Sequence, residues 1–253
     1  MKTLKRFFTS QVLSPEIRTV RLDQKESHHL KNVLRLKQDD SCLVFDSSGN
    51  EWTGTVFFHE RKCEVAIRLM GQLANPNKKK FSLAVAQAIP QRAKMDTIVE
   101  KAGELGVDLV IPMVTERTVV RMKKEEAEKA RGRWLKIIQS ARKQSRSSVA
   151  TDVSEITSFE SVLANHIKSG ASYICHPGTE ITLFDVINAL RVGESSKRRT
   201  DVIIFIGPEG GFSDKEFRQA VAKGVQPVTF GKTILKSDTA FVAVVGAFQF
   251  GLS

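Results

Sequence analysis

Residues 207–211, Gly-Pro-Glu-Gly-Gly, have the composition of a turn that binds a ligand. Glycine permits positive φ angles and lets a ligand approach the bare backbone. Two familiar phosphate-binding patterns do not fit this turn: it lacks the Lys-Ser or Lys-Thr pair of a P-loop and the GxGxxG spacing of a dinucleotide-binding loop. The alternative is a plain strand-to-helix turn, since glycine turns are common in α/β folds. The spacing alone leaves both interpretations open.

The residues on either side of this turn predict the elements that hold it. Residues 202–206 are apolar without a break, which is typical of a strand buried on both faces of a parallel sheet. Ser213 and Glu216 have the spacing of a capping box and predict a helix over residues 213–223. A buried strand, a glycine turn and a capped helix together indicate a binding corner at the carboxyl end of a strand in an α/β sheet.

From residue 81 onward, the hydrophobic pattern alternates between strands and helices, which predicts a parallel sheet. The predicted strands cover 81–88, 107–114, 171–175, 202–206 and 225–230. The predicted helices cover 93–106, 158–168, 182–190, 213–223 and 239–252. The last helix is apolar nearly all round, so we expect it to be buried inside the protein or in a subunit interface. Ser237 or Asp238 is its expected N-cap.

The first 72 residues predict a smaller, β-rich domain. Its three short strands, spaced as in a small barrel or meander, are expected at 41–45, 51–58 and 63–70. A helix is expected over residues 27–36, and His28 and His29 lie at its start. Nothing nearby in the sequence marks a partner for these two histidines, so we interpret them as exposed imidazoles. The polar, basic stretch 73–80 is the expected domain boundary.

Residues 116–146 form the most basic region, with eleven Lys and Arg against four Glu. An inward helical face is predicted from four apolar residues, Trp134, Ile137, Ile138 and Ala141. The opposite face would then present positive charge. Because the whole chain carries a formal net charge of +11, we favour a nucleic-acid surface here. The alternative is an ordinary solvated helix.

Composition narrows the remaining classes. A hydrophobic content of 41% is sufficient for a core, and no stretch approaches the roughly 20 apolar residues of a membrane span. The N-terminus does not read as a signal peptide. Cys42, Cys63 and Cys175 are scattered and odd in number, which favours buried thiols in a reducing cytoplasm. The five histidines show no metal-binding spacing, so no metal is expected.

Six segments, in the same order along the chain, resemble a known family. They are RFF at 6–8, HHLKNVLRLKQDD at 28–40, KMDTIVEKAGELGVDLVIPMVTERTVV at 94–120, RW at 133–134 with Gln144-Ser145, GPEGGFS at 207–213 and GKTILKSDTA at 231–240. The family is the small-subunit rRNA uridine N3-methyltransferases of the RsmE type, within the SPOUT superfamily. The resemblance implies a PUA-like β-barrel that binds RNA over 1–72. It also implies an α/β methyltransferase domain with a deep trefoil knot over 73–253, and a homodimer in the cytoplasm.

The resemblance further implies that S-adenosylmethionine is the cofactor and that a uridine of 16S rRNA in the small ribosomal subunit accepts the methyl group. The implied cofactor residues are Cys175, His176, Pro177, Gly207, Pro208, Glu209, Gly210, Gly211, Phe230, Gly231, Ile234, Leu235, Lys236 and Ser237. We expect Lys236 to stabilise charge that spreads onto the uracil oxygens. Glu209 or Asp238 would orient the base or accept its proton. For Asp238, a role as helix cap alone is the alternative.

The expected RNA contacts are mostly cationic side chains, namely Arg6, Arg35, Arg117, Arg121, Arg133, Arg142, Lys143, Gln144 and Arg146. The sequence departs from the family at residues 144–147, where Gln-Ser-Arg-Ser replaces Gln-Ser-Gly-Arg, and at 231–239, where a Pro-Arg pair is missing. These departures keep a non-catalytic RNA-binding or ribosome-assembly protein open as an alternative. A SPOUT relative that methylates the ribose 2′-OH is the other, although the N-terminal barrel and the motif order argue against it.

Overall fold

A computed structural model of the chain describes residues 4–46, 48–58, 65–73, 81–91, 94–145, 147, 149–167, 171–193 and 200–252. Its internal contacts divide the chain into two compact units. Unit 1 comprises Met1–Lys78 and Arg142–Ala150, and unit 2 comprises Lys79–Ala141 and Thr151–Ser253. Except for Leu73, the expected boundary at 73–80 lies outside the described residues, so that boundary remains a prediction.

Unit 1 is built on a five-stranded sheet in the order β1-β3-β4-β5-β2. The strands are β1 (Lys5–Phe8), β2 (Thr19–Arg21), β3 (Ser41–Phe45), β4 (Glu51–Phe58) and β5 (Val65–Gln72). Strand β1 pairs in parallel with β3, and the other neighbours are antiparallel. The predicted meander of three strands is therefore present. Residues 63 and 64, where the third strand was expected to begin, lie outside the described part of the chain.

The predicted helix over 27–36 begins earlier and changes type. Helix α1 (Gln24–His28) starts after Asp23, whose carboxylate accepts a hydrogen bond of 2.7 Å from the backbone N–H of Glu26. A π-helical segment, His29–Val33, follows directly. A suitable cap upstream of the apolar residues therefore moves the helix start ahead of the position that hydrophobic spacing indicates.

Unit 2 contains a seven-stranded sheet whose strands all pair in parallel, in the order β12-β10-β11-β6-β7-β8, with β9 beside β7. The strands are β6 (Phe81–Ala88), β7 (Leu109–Val114), β8 (Asp152–Val153), β9 (Thr157–Ser158), β10 (Ala171–Cys175), β11 (Thr200–Ile206) and β12 (Gln226–Val228). The helices are α2 (Lys94–Leu105), α3 (Lys124–Ser145), α4 (Phe159–Asn165), α5 (Leu183–Gly193), α6 (Asp214–Ala222) and α7 (Ser237–Gly251). The last residues of α3, from Arg142 onward, belong to unit 1. The predicted α/β class with a parallel sheet is confirmed.

Strand β11 explains why the run at 202–206 has no polar residue. Val202, Ile204 and Ile206 join a core that also contains residues of α2, α3, α5 and α7. Ile203 and Phe205 join a second core that contains residues of α4 and α6. Successive side chains of a strand point to opposite faces, so a strand covered on both faces must be apolar throughout.

Helix α7 differs from the prediction at its start. Its N-cap is Lys236, and no side chain caps it. The expectation that Ser237 or Asp238 caps this helix is wrong, because both residues already lie in its first turn. Unit 2 buries only some of the apolar side chains of α7, since Val242 is 42% and Phe250 is 78% exposed. Among the described residues, no helix is both long enough and apolar enough to cross a membrane.

Candidate cofactor site

Three loops of unit 2 surround a cavity of about 430 Å³. They follow β10, β11 and β12, which are neighbours in the sheet and run in parallel. The carboxyl ends of these strands therefore meet at one edge, where α/β sheets bind ligands. A cavity of this size accommodates an organic ligand of cofactor dimensions.

Almost all of the predicted cofactor residues line this cavity. The predicted residues found in its wall are Cys175, His176, Pro177, Gly207, Pro208, Glu209, Gly210, Gly211, Phe230, Ile234, Leu235, Lys236 and Ser237. Gly231 is the one predicted cofactor residue that does not line it. Four further lining residues, Ile206, Thr229, Thr233 and Ala240, were not among the predicted ones. Ile206 and Thr229 directly precede predicted loops, Thr233 lies within one, and Ala240 lies three residues beyond Ser237. Extending each motif by a few residues would have found them.

The glycine turn at 207–211 has specific backbone requirements. Gly211 adopts φ +69°, a left-handed conformation that L side chains rarely accept. A Cβ atom on Gly207 would lie 3.3 Å from the Cα and carbonyl carbon of Gly211. The turn therefore folds back closely on itself, and the helix after it begins with the predicted capping box between Ser213 and Glu216.

Two consecutive hydrogen bonds connect the start of this turn to β6 and α7. The buried amide Nε2 of Gln87 donates to Ser237 Oγ at 2.8 Å, and Ser237 Oγ donates to the carbonyl of Gly207 at 2.8 Å. These contacts join the end of β6, the first turn of α7 and the start of the glycine turn. Ser237 acts as a bridge between two cavity loops, which explains why its hydroxyl is not available as a helix cap.

Glu209 is held as a carboxylate at the rim of the cavity. Lys94 Nζ lies 2.9 Å from its Oε1, and the backbone N–H of Gln91 lies 3.2 Å from the same atom. Partial burial by itself would raise the pKa of Glu209, but the hydrogen bonds from Lys94 and from backbone N–H groups outweigh that effect and lower it. A carboxylate with a lowered pKa is a poor proton acceptor, so the structure argues against Glu209 as the base.

The other two catalytic candidates differ in position. Lys236 is exposed and lines the cavity. Asp238 lies two residues further on and is not among the lining residues. Its Oδ1 is buried and has no hydrogen-bond partner within the described residues. Of these two candidates, Lys236 is therefore the one that lines the cavity.

Cys175 and His176 contribute shape more than reactivity. Burial raises the pKa of the Cys175 thiol to about 12, so the thiol stays protonated and is a weak nucleophile. The His176 ring stacks on Phe217 of α6, with ring centroids 4.1 Å apart. Within the described residues, no group of three or more His, Cys, Asp or Glu side chains is arranged to hold a metal ion.

The loop after β12 offers backbone groups to a ligand. No hydrogen bond within the described part of the chain uses the N–H or C=O groups of residues 232–235. Apolar side chains such as Leu235 and Ile206 lie in the same wall. Free backbone donors and acceptors beside an apolar surface suit an adenine edge and a ribose, so the residues present fit S-adenosylmethionine.

Two of the predicted RNA-contact residues are buried in unit 1. Arg6 is 8% exposed and forms an ion pair of 2.7 Å with Glu51, while Arg142 is only 2% exposed. Both guanidinium groups lie close to the Phe45 ring, at 4.6 and 5.5 Å from its centroid. Both side chains pack inside the unit and bind acceptors there, so little of either is accessible to RNA, and their predicted RNA contacts remain untested.

The other predicted RNA-contact residues are scattered. Lys143 is half-buried, with its Nζ 2.7 Å from Glu26 and 3.2 Å from His29 Nδ1, so His29 does have a partner. In unit 1, Arg35 and Gln144 are exposed; in unit 2, so are Arg117, Arg121 and Arg133. Arg133 pairs with Asp96 at 2.8 Å. Arg146 lies outside the described residues.

The chain combines a parallel sheet that has a cofactor-sized cavity at its carboxyl edge with a second, β-rich unit, and these two features point to one class of protein. The family model described as "RNA methyltransferase domain" matches residues 77–249, and the one described as "RNA methyltransferase PUA domain" matches residues 22–67. The chain belongs to this family of RNA methyltransferases.

Particular relatives sharpen that assignment. The chain is similar to the ribosomal RNA small subunit methyltransferase E of Synechocystis, with 28% identity over 88% of this chain and 70% of that protein. It is 26% identical to the enzyme of the same name from Bacillus subtilis, over 93% of this chain and 91% of that one. The crystal structure of the Neisseria gonorrhoeae enzyme, bound to S-adenosyl methionine, superposes with a TM-score of 0.81 at 28% identity, covering 98% of both chains.

Proposed function

We propose that this protein transfers a methyl group from S-adenosylmethionine to N3 of a uridine in small-subunit ribosomal RNA. The observation that carries the proposal is the cavity formed by the loops after β10, β11 and β12. Its glycine turn, its unused backbone groups and its apolar wall lie where the family resemblance places the cofactor. Relatives named for small-subunit rRNA methylation support the choice of substrate.

The cavity residues have separate tasks in this proposal. The backbone of residues 232–235 would hydrogen-bond the cofactor, and the turn at 207–211 would hold it against Leu235 and Ile206. The cofactor supplies an activated methyl group on a sulfonium centre. The protein therefore needs no nucleophile of its own, which agrees with the protonated Cys175 thiol. Most of the rate enhancement would come from positioning uracil N3 beside that methyl group.

Lys236 has the catalytic role that the geometry favours. N3 of uracil must lose its proton, which leaves to solvent, and the resulting negative charge spreads over the uracil oxygens until N3 takes the methyl group. An exposed ammonium group at the cavity wall can stabilise that charge. Glu209 serves better as a fixed rim group, because Lys94 keeps it ionised and occupied.

The RNA must present an unpaired or flipped-out uridine, because N3 is hidden in a Watson–Crick pair. We assign RNA binding to the β-rich part of the chain over residues 1–72, with help from exposed cations such as Arg35 and Arg121. The same proposal includes a cytoplasmic homodimer and a trefoil knot over residues 73–253. The exposed apolar side chains of α7, Val242 and Phe250, suit a subunit interface.

The test uses purified protein, labelled S-adenosylmethionine and small ribosomal subunits from cells that lack this protein. After digestion of the RNA, we expect label in N3-methyluridine. The Lys236→Ala variant should bind the cofactor with little change but lose at least tenfold in methyl transfer. Thr239→Ala, an exposed neighbour in α7, is the matched control and should keep full activity.

Each other outcome has a distinct meaning. Label in a 2′-O-methylated nucleoside would contradict the reaction while supporting the cofactor. Absence of cofactor binding in the wild-type protein would overturn the proposal and leave a non-catalytic RNA-binding protein. Full activity of Lys236→Ala would remove Lys236 from the mechanism without changing the reaction.

A further inference from the structure

Two side chains from other parts of unit 2, one in a loop and one at the start of α2, bind the glycine turn at 207–211. Arg117 Nη1 donates to the carbonyl of Gly210 at 2.8 Å. Lys94 Nζ binds the carboxylate of the preceding residue, Glu209, at 2.9 Å. Two cations, one from the loop after β7 and one from the first residue of α2, therefore hold two consecutive residues of the cavity wall.

The segment that carries Arg117 is itself well fixed. Thr115 and Thr118 close a tight turn: the backbone N–H of Thr115 donates to Thr118 Oγ1 at 2.9 Å, and the N–H of Thr118 donates to the carbonyl of Thr115 at 3.1 Å. The N–H of Glu116 donates to Glu216 Oε1 at 2.8 Å. The other oxygen of Glu216 accepts from the N–H of Ser213 in the capping box.

Arg117 therefore approaches Gly210 from a rigid base. Its aliphatic stem packs on the same residue, because a Cβ atom on Gly210 would lie 3.5 Å from Arg117 Cδ and 3.6 Å from Arg117 Cβ. A guanidinium that binds a backbone carbonyl and packs along the backbone restricts both the orientation and the position of that peptide. The turn needs such restraint, since Gly207, Gly210 and Gly211 give it unusual backbone freedom.

We propose that Arg117 and Lys94 are positioning residues that clamp the glycine turn in its ligand-binding conformation before the cofactor arrives. This inference rests on the proposed function, because it takes S-adenosylmethionine as the ligand of the cavity. Preorganisation lowers the entropy lost on binding, so the clamp contributes to cofactor affinity. It gives Arg117 a role different from the RNA contact that its exposed charge predicts.

The first experiment measures the turn without any cofactor. Amide hydrogen exchange is followed at residues 207–212 in the full-length wild type, in Arg117→Ala and in Lys94→Ala. We expect exchange about fivefold faster in both variants and intermediate rates in Arg117→Lys, which keeps one donor. Lys124→Ala, which removes an exposed cation that does not contact the turn in the described structure, is the matched control and should leave exchange unchanged.

The second experiment separates cofactor binding from RNA binding. Equilibrium dialysis with S-adenosylmethionine should show about fivefold weaker affinity for Arg117→Ala, while its affinity for small-subunit rRNA changes less than twofold. The opposite result, with weaker RNA binding, a shallower salt dependence and unchanged exchange, would overturn the clamp and make Arg117 an RNA contact. If the wild type binds no S-adenosylmethionine, the proposed function fails, but the exchange rates still decide whether the clamp exists.

Discussion

Helix α3 buries an indole in unit 2 and a guanidinium in unit 1. Trp134 is 1% exposed in an apolar core, and its Nε1 donates to Asp96 at 3.0 Å. Arg142, two turns further on, is 2% exposed beside the ring of Phe45. Burying an indole removes apolar surface from water and is favourable. Burying a cation carries a desolvation cost that its partners must offset.

The two buried groups differ in how well they are satisfied. The single polar atom of Trp134 has a hydrogen bond of normal length. For Arg142, Nε has no partner within the described residues, and Nη2 lies at 3.5 Å from the carbonyl of Asp46. Burial first, and then the nearby charge of Arg6, lower the pKa of Arg142 to about 10. The indole is therefore expected to stabilise the fold, whereas the guanidinium is expected mainly to position the end of α3 against Asp46 and Phe45.

The largest effect is expected from Trp134→Ala. Loss of the buried ring should lower the free energy of unfolding by about 3–5 kcal/mol. Trp134→Phe keeps most of the apolar contact and loses the bond to Asp96, so it should cost only about 1–2 kcal/mol. Urea unfolding followed by circular dichroism gives both values. Equal losses in the two variants would mean that the hydrogen bond, and not the ring, anchors this part of α3.

For Arg142, we expect the volume of the replacing side chain, and not its polar groups, to decide the free energy of unfolding. Arg142→Ala leaves a cavity and should cost about 2–3 kcal/mol. Arg142→Met fills much of the volume without a buried charge, so it should be neutral or stabilising. The same unfolding measurement compares them. A Met variant as unstable as the Ala variant would show that the charge itself stabilises unit 1, which would remove the contrast with Trp134.

A variant of Ser237 tests whether a buried polar side chain also holds the fold together in unit 2. Ser237→Ala removes the bridge between Gln87 and the carbonyl of Gly207, and it leaves buried polar groups without a partner. We expect a loss of about 1–2 kcal/mol in unfolding free energy, together with weaker S-adenosylmethionine binding. Thr239→Ala is again the control. Unchanged stability and unchanged cofactor affinity would show that the bridge is not needed.

The smallest effect concerns His29, which neighbours Lys143 in the last turn of α3. Burial first, and then the charge of Lys143, lower the pKa of His29 below its usual value of 6.5. The unfolded chain therefore binds more protons just below pH 6.5, so stability falls as the pH is lowered through that value and is fully present above it. In His29→Gln this part of the pH dependence should disappear. His28→Gln is the control for a general effect of removing an imidazole.

Patterns that depend on near neighbours were predicted correctly from the sequence. The unbroken run at 202–206 implied a strand covered on both faces, and the spacing of Ser213 and Glu216 implied a capping box. Trp134 at helical spacing implied an inward face. Each of these signals reflects a local period or a local hydrogen bond.

Contacts between distant segments were not predictable in the same way. An arginine on a helix is normally solvated, so nothing in the sequence marked Arg142 as buried against Phe45. Glu209 was considered as a proton acceptor because the sequence does not reveal its ion pair with Lys94, which lies 115 positions away. Ser237 was predicted as a cap from its position before the last helix. The sequence does not show that its hydroxyl instead bridges to Gly207, 30 positions away. The family resemblance supplied the long-range information that brought three loops distant in sequence together, and these loops line one cavity.

The path of the chain through unit 1 has a consequence for biosynthesis. Arg6 Nη1 donates to the carbonyl of Arg142, 136 positions away in sequence, and its Nη2 donates to the carbonyl of Ser147. The ribosome must therefore produce residues 79–141, the first part of unit 2, before unit 1 can be completed. Closing so long a loop carries an entropic cost and slows folding. A single recombination event therefore cannot transfer unit 1 intact to another protein. A fragment that ends near residue 78 would lack residues 142–150, which contain the carbonyls that Arg6 binds.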